Sequence, residues 1–317
     1  MSLDSHSING MPWDEIMNLW LSHYLFGVEN EAEELPAVLA QNNINGVFEA
    51  FDQWPASQTV TLKDAGATGT TTVTSQGLGD YATDFQEDRQ NNLVIEDQEE
   101  FYSGMPEELA AVYRFDLPAY ATIQGVPQVR VKLDSSREDL DGLMISAALM
   151  DVSDVGAFKA FVPQAAMNNG VAHEELEDQT YEMGGGLEAD SMIQFVQMDR
   201  PRKVISFAWT DLQNPGCGKA SSKYTIQYPG LVSGQEQDYT FYFLPTVYTL
   251  AEGHHLELRL MTWDPYRAYL DEWYNLDGSL DTVLDDSTYD MVISNESLEL
   301  VLPVGEGDPN WLWNLGE

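Results

Sequence analysis

Hydrophobic positions divide the chain into a short helical opening and a long region of strands. Trp13, Ile16, Met17, Trp20, Leu21, Tyr24 and Leu25 recur at the i, i+3, i+4, i+7 spacing of one helix face. Pro12 suits a first helical position, Asp14 and Glu15 favour the positive end of the dipole, and Gly27 is a good stop. The pattern predicts a helix over 12–26. His23 lies within it beside the apolar stripe and reads as structural. LPAVLAQN, residues 35–42, is a nearly continuous apolar run that predicts a buried strand over 35–41. GVFEAFDQWP, residues 46–55, follows and ends at a proline, and SQTVTLKDAG alternates like an outer strand. Residues 64–100 are rich in Gly, Thr, Asp and Gln and predict loop, with a short strand at Thr71–Thr74.

From about residue 108 the period changes to two. AVYRFDLP, PQVRVKL, GLMISAALMDV, RKVISFAW, KYTIQY, DYTFYFLP, HHLELRLMTW, DMVISN and LELVLPV alternate apolar and polar positions. Val129, Val131 and Leu133 share one face, and Leu143, Ile145, Ala147 and Leu149 share another. Turn strings such as GVPQ, DLDG, NPGCG, PGLVSG and AEGHH separate the strands. Many short alternating strands of this kind indicate a sandwich or a barrel. The absence of a βαβ pattern argues against a doubly wound fold there. Residues 184–195 and 267–285 read as longer connections, and no internal repeat is visible.

Composition narrows the class. The 317 residues are 43% hydrophobic and 11% aromatic, enough for a substantial core. The formal charge is −39, from 53 acids against 14 bases. That balance excludes a nucleic-acid or anionic-membrane partner, both of which require a positive surface. It keeps the protein soluble and would attract cationic substrates, such as peptides with a free amino terminus. No apolar run approaches the roughly 18 residues of a membrane span. MSLDSHS lacks the basic head and apolar stretch of a secretory signal. One cysteine, Cys217, precludes an intramolecular disulfide and fits a reducing compartment, so a cytoplasmic location is expected.

Candidate chemistry is sparse. No G-x-S-x-G nucleophile elbow occurs; GKASS at 218–222 and GLVSG at 230–234 do not fit. Cys217 sits in a Gly-rich loop without the electropositive setting a reactive thiol needs. HEELE at 173–177 lacks the second histidine of a zinc site. His254 and His255 open a strand and point to opposite faces. The acidic loops DSSREDLDG, 134–142, and NLDGSLDTVLDD, 275–286, miss the EF-hand template, and GATGTT lacks the lysine of a phosphate loop. No cofactor and no metal is therefore expected. The one suggestive residue is His6, in a polar loop ahead of the first helix. A working histidine needs a nucleophile and an orienting acid, and neither is apparent.

Taken together, the segments resemble the C-terminal part of the Xaa-Pro dipeptidyl-peptidase family of serine hydrolases, and are similar to the same region of cocaine esterase and α-amino acid ester hydrolases. LPAVLAQNNINGVFEAFDQWP resembles the last hydrolase strand with its Trp-Pro turn. AVYRFDLPAYATIQGVPQVRVKLDSSREDLDGLMISAALMDV resembles the opening of the family's jelly roll, YTFYFLPTVYTLAEGHHLELRLMTWDP its later strands and SLELVLPV its closing strand. The likeness spans roughly 6–304 and rests on the order of short motifs. It implies a mainly β protein: a galactose-binding-domain-like jelly-roll β-sandwich with a short N-terminal α/β-hydrolase remnant. The corresponding organisation is remnant 1–56, linker strands and a long loop 57–107, and sandwich 108–317.

By position, SHSINGMPWDEIMNLWLSHYLFGVEN looks like the loop and helix that carry the family's triad histidine. The resemblance thus makes His6 the general base toward a serine supplied, with its aspartate, by a preceding hydrolase domain. The implied parent activity is release of Xaa-Pro dipeptides, and the chain alone would be inactive. Its implied partners are that hydrolase domain and the parent's peptide substrate; a jelly-roll module that mediates homodimerisation of the parent is a separate expectation. The first helix should then expose an apolar patch around Trp13, Trp20 and Tyr24. The rival expectation is a non-catalytic carbohydrate-binding module, with Trp263 and Trp273 stacking on sugars beside Asp264 and Asp271.

Overall fold

The computed structural model describes residues 7–8, 11–36, 38–44, 48–88, 98–117, 120–137, 143–163, 195–212, 235–264 and 288–305. Strands β1 (Ser7–Ile8) and β2 (Met11–Pro12) pair ahead of helix α1 (Trp13–Phe26). Gly27, at φ 66°, turns the chain out of the helix in the left-handed conformation that glycine adopts without a Cβ penalty. A 3-10 turn at Glu31–Glu34 is capped by the Asn30 side chain, which accepts from Ala32 N at 3.0 Å. It leads to the hairpin β3 (Val38–Gln41) and β4 (Phe48–Phe51). Then come β5 (Gln58–Leu62), β6 (Thr70–Thr74), α2 (Leu78–Asp88) and α3 (Gln98–Gly104). The remaining strands are β7 (Ala110–Phe115), β8 (Thr122–Gly125), β9 (Gln128–Ser135), β10 (Met144–Ser153), β11 (Phe158–Pro163) and β12 (Phe195–Arg200). They continue with β13 (Arg202–Asp211), β14 (Gln237–Tyr242), β15 (Thr246–Thr249), β16 (His254–Met261) and β17 (Asp290–Gly305).

Two antiparallel sheets enclose the main core. The first is organised around β17, the longest described strand. One of its edges takes β6 at Asp290–Ser294 and β5 at Leu300–Val304. The other edge takes β9 and then β8, with β14 beside β9 and β15 beside β8. The second sheet runs β13-β10-β16-β7. At one edge the sheets are stitched by an Ala208–Phe243 bridge and by Leu244 N donating to Phe207 O at 2.9 Å. β11 and β12 form a separate two-stranded antiparallel sheet.

Alternation produces this arrangement directly. Val129, Val131 and Leu133 of β9 face Ile145, Ala147 and Leu149 of β10 across the core, with Leu256, Leu258 and Leu260 of β16 beside them. All of these are buried. Each fully buried leucine contributes about 1.5–3 kcal/mol. In β10 the other parity is buried too: Ala148 and Met150 lie under the two helices. That double cover explains why ISAALM reads as a near-continuous apolar run, as a strand buried on both faces does.

The helices occupy a stretch expected to be loop. Leu78, Ala82 and Phe85 of α2, with Phe101 and Tyr102 of α3, suffice to bury one face of each short helix, although Gly, Asp and Gln dominate the stretch. The short strand expected at Thr71–Thr74 forms as part of β6. Residues 57–107 thus contribute two strands to the first sheet and a helical cover to the second.

Candidate functional site

Helix α1 forms where the 3.6-residue periodicity places it, but its apolar face is largely uncovered. Trp20 is 51% exposed, Tyr24 53%, Leu25 68% and Phe26 79%. The rings of Trp20 and Tyr24 lie 4.5 Å apart on this face. The side chain of Trp13 is outside the described residues. His23 is structural: its Nδ1 lies 3.0 Å from Val28 O and its Nε2 3.3 Å from Glu33 Oε1, closing the helix end over the 3-10 turn.

The β3–β4 hairpin is tied to the sandwich through the Asn43 amide. Asn43 Nδ2 donates to Thr249 O at 2.8 Å, and Asn43 Oδ1 accepts from Thr249 N at 2.6 Å. An asparagine side chain presents an NH2 donor group beside a carbonyl acceptor, so it pairs with β15 as the backbone of a further strand residue would. Beyond β4, Gln124 Nε2 donates to Gln53 O at 2.6 Å, and Ala56 N donates to Gln124 O at 3.0 Å. Gly125, at φ 143°, lets the backbone approach closely here; a Cβ would come within 2.6 Å of the Pro55 and Pro303 side chains.

These contacts leave an open cleft of about 680 Å³, lined by Asp52, Gln53, Gln58, Tyr120, Gln124 and Gly305 among others. Tyr120 stands at φ 64°, unusual for a bulky residue, and its N–H donates to Leu250 O at 2.7 Å. Among the described residues the lining holds no histidine or cysteine. It offers one carboxylate and several amides, a hydrogen-bonding surface rather than a general acid–base pair.

A second polar constellation lies inside the sandwich. Asp151 continues the inward parity of β10 and is 1% exposed. Tyr248 Oη donates to its Oδ2 at 2.8 Å, and His254 Nδ1 lies 2.9 Å from its Oδ1. Phe158 packs edge-on against the imidazole at 4.5 Å. Burial pushes the Asp151 carboxyl above its ordinary range, against the opposing pull of Tyr248 and His254. Burial, and after it the same carboxylate, push the Tyr248 hydroxyl well up. His255 points the other way, with Nδ1 3.0 Å from Asp154 Oδ1. Asp154 also takes a two-pronged contact from Arg114, at 3.2 and 2.9 Å, which holds its carboxyl below the ordinary range. Among the described residues no group of three or more His, Cys, Asp or Glu could hold a metal ion. Asp151 and His254 resemble the acid–histidine half of a triad, but both are buried and Asp151's other partner is a tyrosine.

The model for the X-Pro dipeptidyl-peptidase C-terminal non-catalytic domain matches residues 30–273. The chain belongs to this family. Among curated relatives, the Xaa-Pro dipeptidyl-peptidase of Ligilactobacillus salivarius is 23% identical over 273 residues, covering 82% of this chain and 31% of the relative. That of Lactobacillus delbrueckii subsp. bulgaricus is 28% identical over 275 residues, with the same shares. The chain therefore spans about a third of the length of these relatives. Among solved structures, an aminopeptidase from a Thaumarchaeota archaeon of marine sediment superposes with a TM-score of 0.52 at 13% identity, covering 96% of this chain and 47% of that one. This likeness shows the fold.

The X-Pro dipeptidyl-peptidase C-terminal match starts beyond α1. His6, the expected triad histidine, lies outside the described residues, as do Cys217, His173, Asp271, Trp273 and the loop at 275–286. Trp263 is partly buried against the core under α2 and α3, and Asp264 accepts from Tyr102 Oη at 2.7 Å. Both residues thus have a place in the packing. His254 and His255 diverge, as their adjacency on a strand requires. Sequence reading missed Asp151, Tyr248 and Asn43. For Asp151 a signal existed, a carboxylate on the buried parity of an apolar strand. Asn43 had none, because its partner is 206 residues away. Among the described residues no helix is long and apolar enough to cross a membrane.

Proposed function

We propose that this chain is the C-terminal part of a Xaa-Pro dipeptidyl-peptidase, packed on a preceding hydrolase domain. The observation that carries this reading is the family match over residues 30–273, together with relatives that share this region and extend well beyond it. The uncovered face of α1 supports it, since a helix with Trp20, Tyr24 and Leu25 turned outward is suited to cover a further sheet. We read the sandwich as a jelly roll. Strands β6, β7, β9, β10, β13, β14, β16 and β17 fall in the first, second, first, second, second, first, second and first sheets, the order of two Greek keys.

On this reading the hydrolase domain supplies a serine nucleophile and an aspartate, and His6 completes the triad. His6 takes the proton of the serine as it attacks the carbonyl carbon of the proline, then gives it to the amine that departs from that carbonyl. The sandwich shapes the site from one side, and the acidic surface favours approach of a substrate with a free ammonium group. Expression of the whole gene, with hydrolysis of an Xaa-Pro p-nitroanilide as readout, tests this. The intact protein should cleave it, residues 1–317 alone should not, and His6→Ala in the intact protein should lower kcat by about a thousandfold or more. Full activity of that variant, or a gene encoding no hydrolase region, would overturn the reading.

A further inference from the structure

The cleft beside Tyr120 has a rigid frame. Its floor is sheet: Val304 of β17 lies opposite Gln58 of β5 on one side and Ile123 of β8 on the other. Its walls are tied together where Gln124 Nε2 donates to Gln53 O and Ala56 N donates to Gln124 O. The backbone carrying Tyr120 is held by two bonds to Leu250: Tyr120 N donates to Leu250 O at 2.7 Å, and Leu250 N donates to Ala121 O at 3.0 Å. The cleft is therefore preformed, which lowers the cost of binding.

Tyr120 is the unusual member of the lining. At φ 64° it occupies the left-handed region, which favours glycine or asparagine and strains a bulky residue. Burial does not offset that strain, because Tyr120 is 63% exposed. Strained backbone fixed by surrounding bonds concentrates at ligand sites. What the position gains is an aromatic residue in the lining of the cleft.

The other lining residues select the sign of a ligand. Asp52 contributes an exposed carboxylate, and Gln53 and Gln58 contribute exposed amides. Among the described residues the lining holds no lysine, arginine or histidine, and the chain as a whole carries a formal charge of −39. An anion would be repelled by Asp52 and by the chain's field, whereas a cation meets a carboxylate, an aromatic face and amide carbonyls. A planar guanidinium uses all three, since it stacks on aromatic faces while its fixed fork of N–H donors pairs with carboxylate and carbonyl oxygens. At about 680 Å³ the cleft exceeds one side chain and leaves room for flanking peptide.

We propose that this cleft is a binding site for a basic peptide, which places an arginine side chain against Tyr120 and Asp52. The site requires neither a hydrolase domain nor a triad histidine, so its test is independent of the peptidase reading.

Calorimetric titration of the full chain with acetyl-Gly-Arg-Gly-amide at about 0.15 M NaCl tests this, with the Lys, Gln and Glu analogues in parallel. The arginine peptide should saturate one site with a Kd on the order of 0.1–1 mM. The lysine peptide should bind about threefold more weakly, and the glutamine and glutamate peptides about tenfold or more. Asp52→Asn removes one of the 53 acids and leaves the chain's general attraction for cations in place. It should weaken the arginine peptide about tenfold. Tyr120→Asn keeps a residue suited to the left-handed backbone but removes the ring, and should weaken it about fivefold; Tyr120→Phe should stay within about twofold of the parent. Equal binding of the arginine and glutamine peptides, tighter binding of the glutamate peptide, arginine binding that Asp52→Asn and Tyr120→Asn leave unchanged, or no saturable binding would each overturn the proposal.

Discussion

Replacing Asp151 by alanine tests how the end of the sandwich is held. The carboxylate is 1% exposed and accepts from Tyr248 Oη at 2.8 Å while lying 2.9 Å from His254 Nδ1. Alanine strands both partners in a site where His254 is only 4% exposed. Each buried polar group left without a partner costs about 1–3 kcal/mol, and relief of the carboxylate's own desolvation offsets part of the total. The net expectation is a loss of about 3 kcal/mol for Asp151→Ala and about 1 kcal/mol for Asp151→Asn, which keeps one acceptor oxygen. Urea unfolding followed by circular dichroism at pH 7 reads this as a lower midpoint at constant slope. The pH dependence adds a sign. The folded carboxyl titrates above its ordinary value of 3.8, so the folded state holds its proton longer than the unfolded state does. The stability it contributes is present below that value and is lost as pH rises through the folded pKa. The penalty of Asp151→Asn should therefore be larger near pH 4 than at pH 7. An Asp151→Ala protein within about 0.5 kcal/mol of the parent at both pH values would refute the reasoning, because surface substitutions alone reach that size.

Two further outcomes follow from buried bonds elsewhere. Tyr289 Oη is placed between Met144 O at 2.8 Å and Thr262 O at 2.9 Å, and burial pushes its hydroxyl up to about 12. Tyr289→Phe should cost about 1–2 kcal/mol in urea unfolding at neutral pH, and the parent should lose this advantage between pH 10 and about 12, as the unfolded tyrosine ionises first. Asn43→Ala removes both bonds to Thr249 and should raise hydrogen exchange in β3 and β4 about tenfold while leaving β9 and β10 unchanged; equal exchange would mean water replaces the amide.

Much of the architecture was legible because face is a local property. Period-two alternation in VRVKL and LMISAAL placed Val129, Val131, Ile145 and Leu149 inward without reference to any other strand. Helix α1 was legible for the same reason, and Trp20 and Tyr24 stand exposed as its unpartnered face suggested. α2 and α3 were not, because their few apolar residues are diluted by charge and only the sheet beneath makes them sufficient. Adjacency on a strand separated His254 from His255 but could not supply the carboxylate each meets.

By itself, then, the sequence determined a mainly β protein, the inward face of its strands, a strongly acidic surface and the absence of a nucleophile motif. Only the tertiary structure decided that β17 gathers β5, β6, β8 and β9, that Tyr248 meets an aspartate 97 residues away, and that Asn43 binds β15. The reason is physical. Side-chain periodicity records which way a residue faces, whereas strand order and hydrogen-bond partners depend on where distant segments come to rest, and alternation is equally satisfied by many pairings.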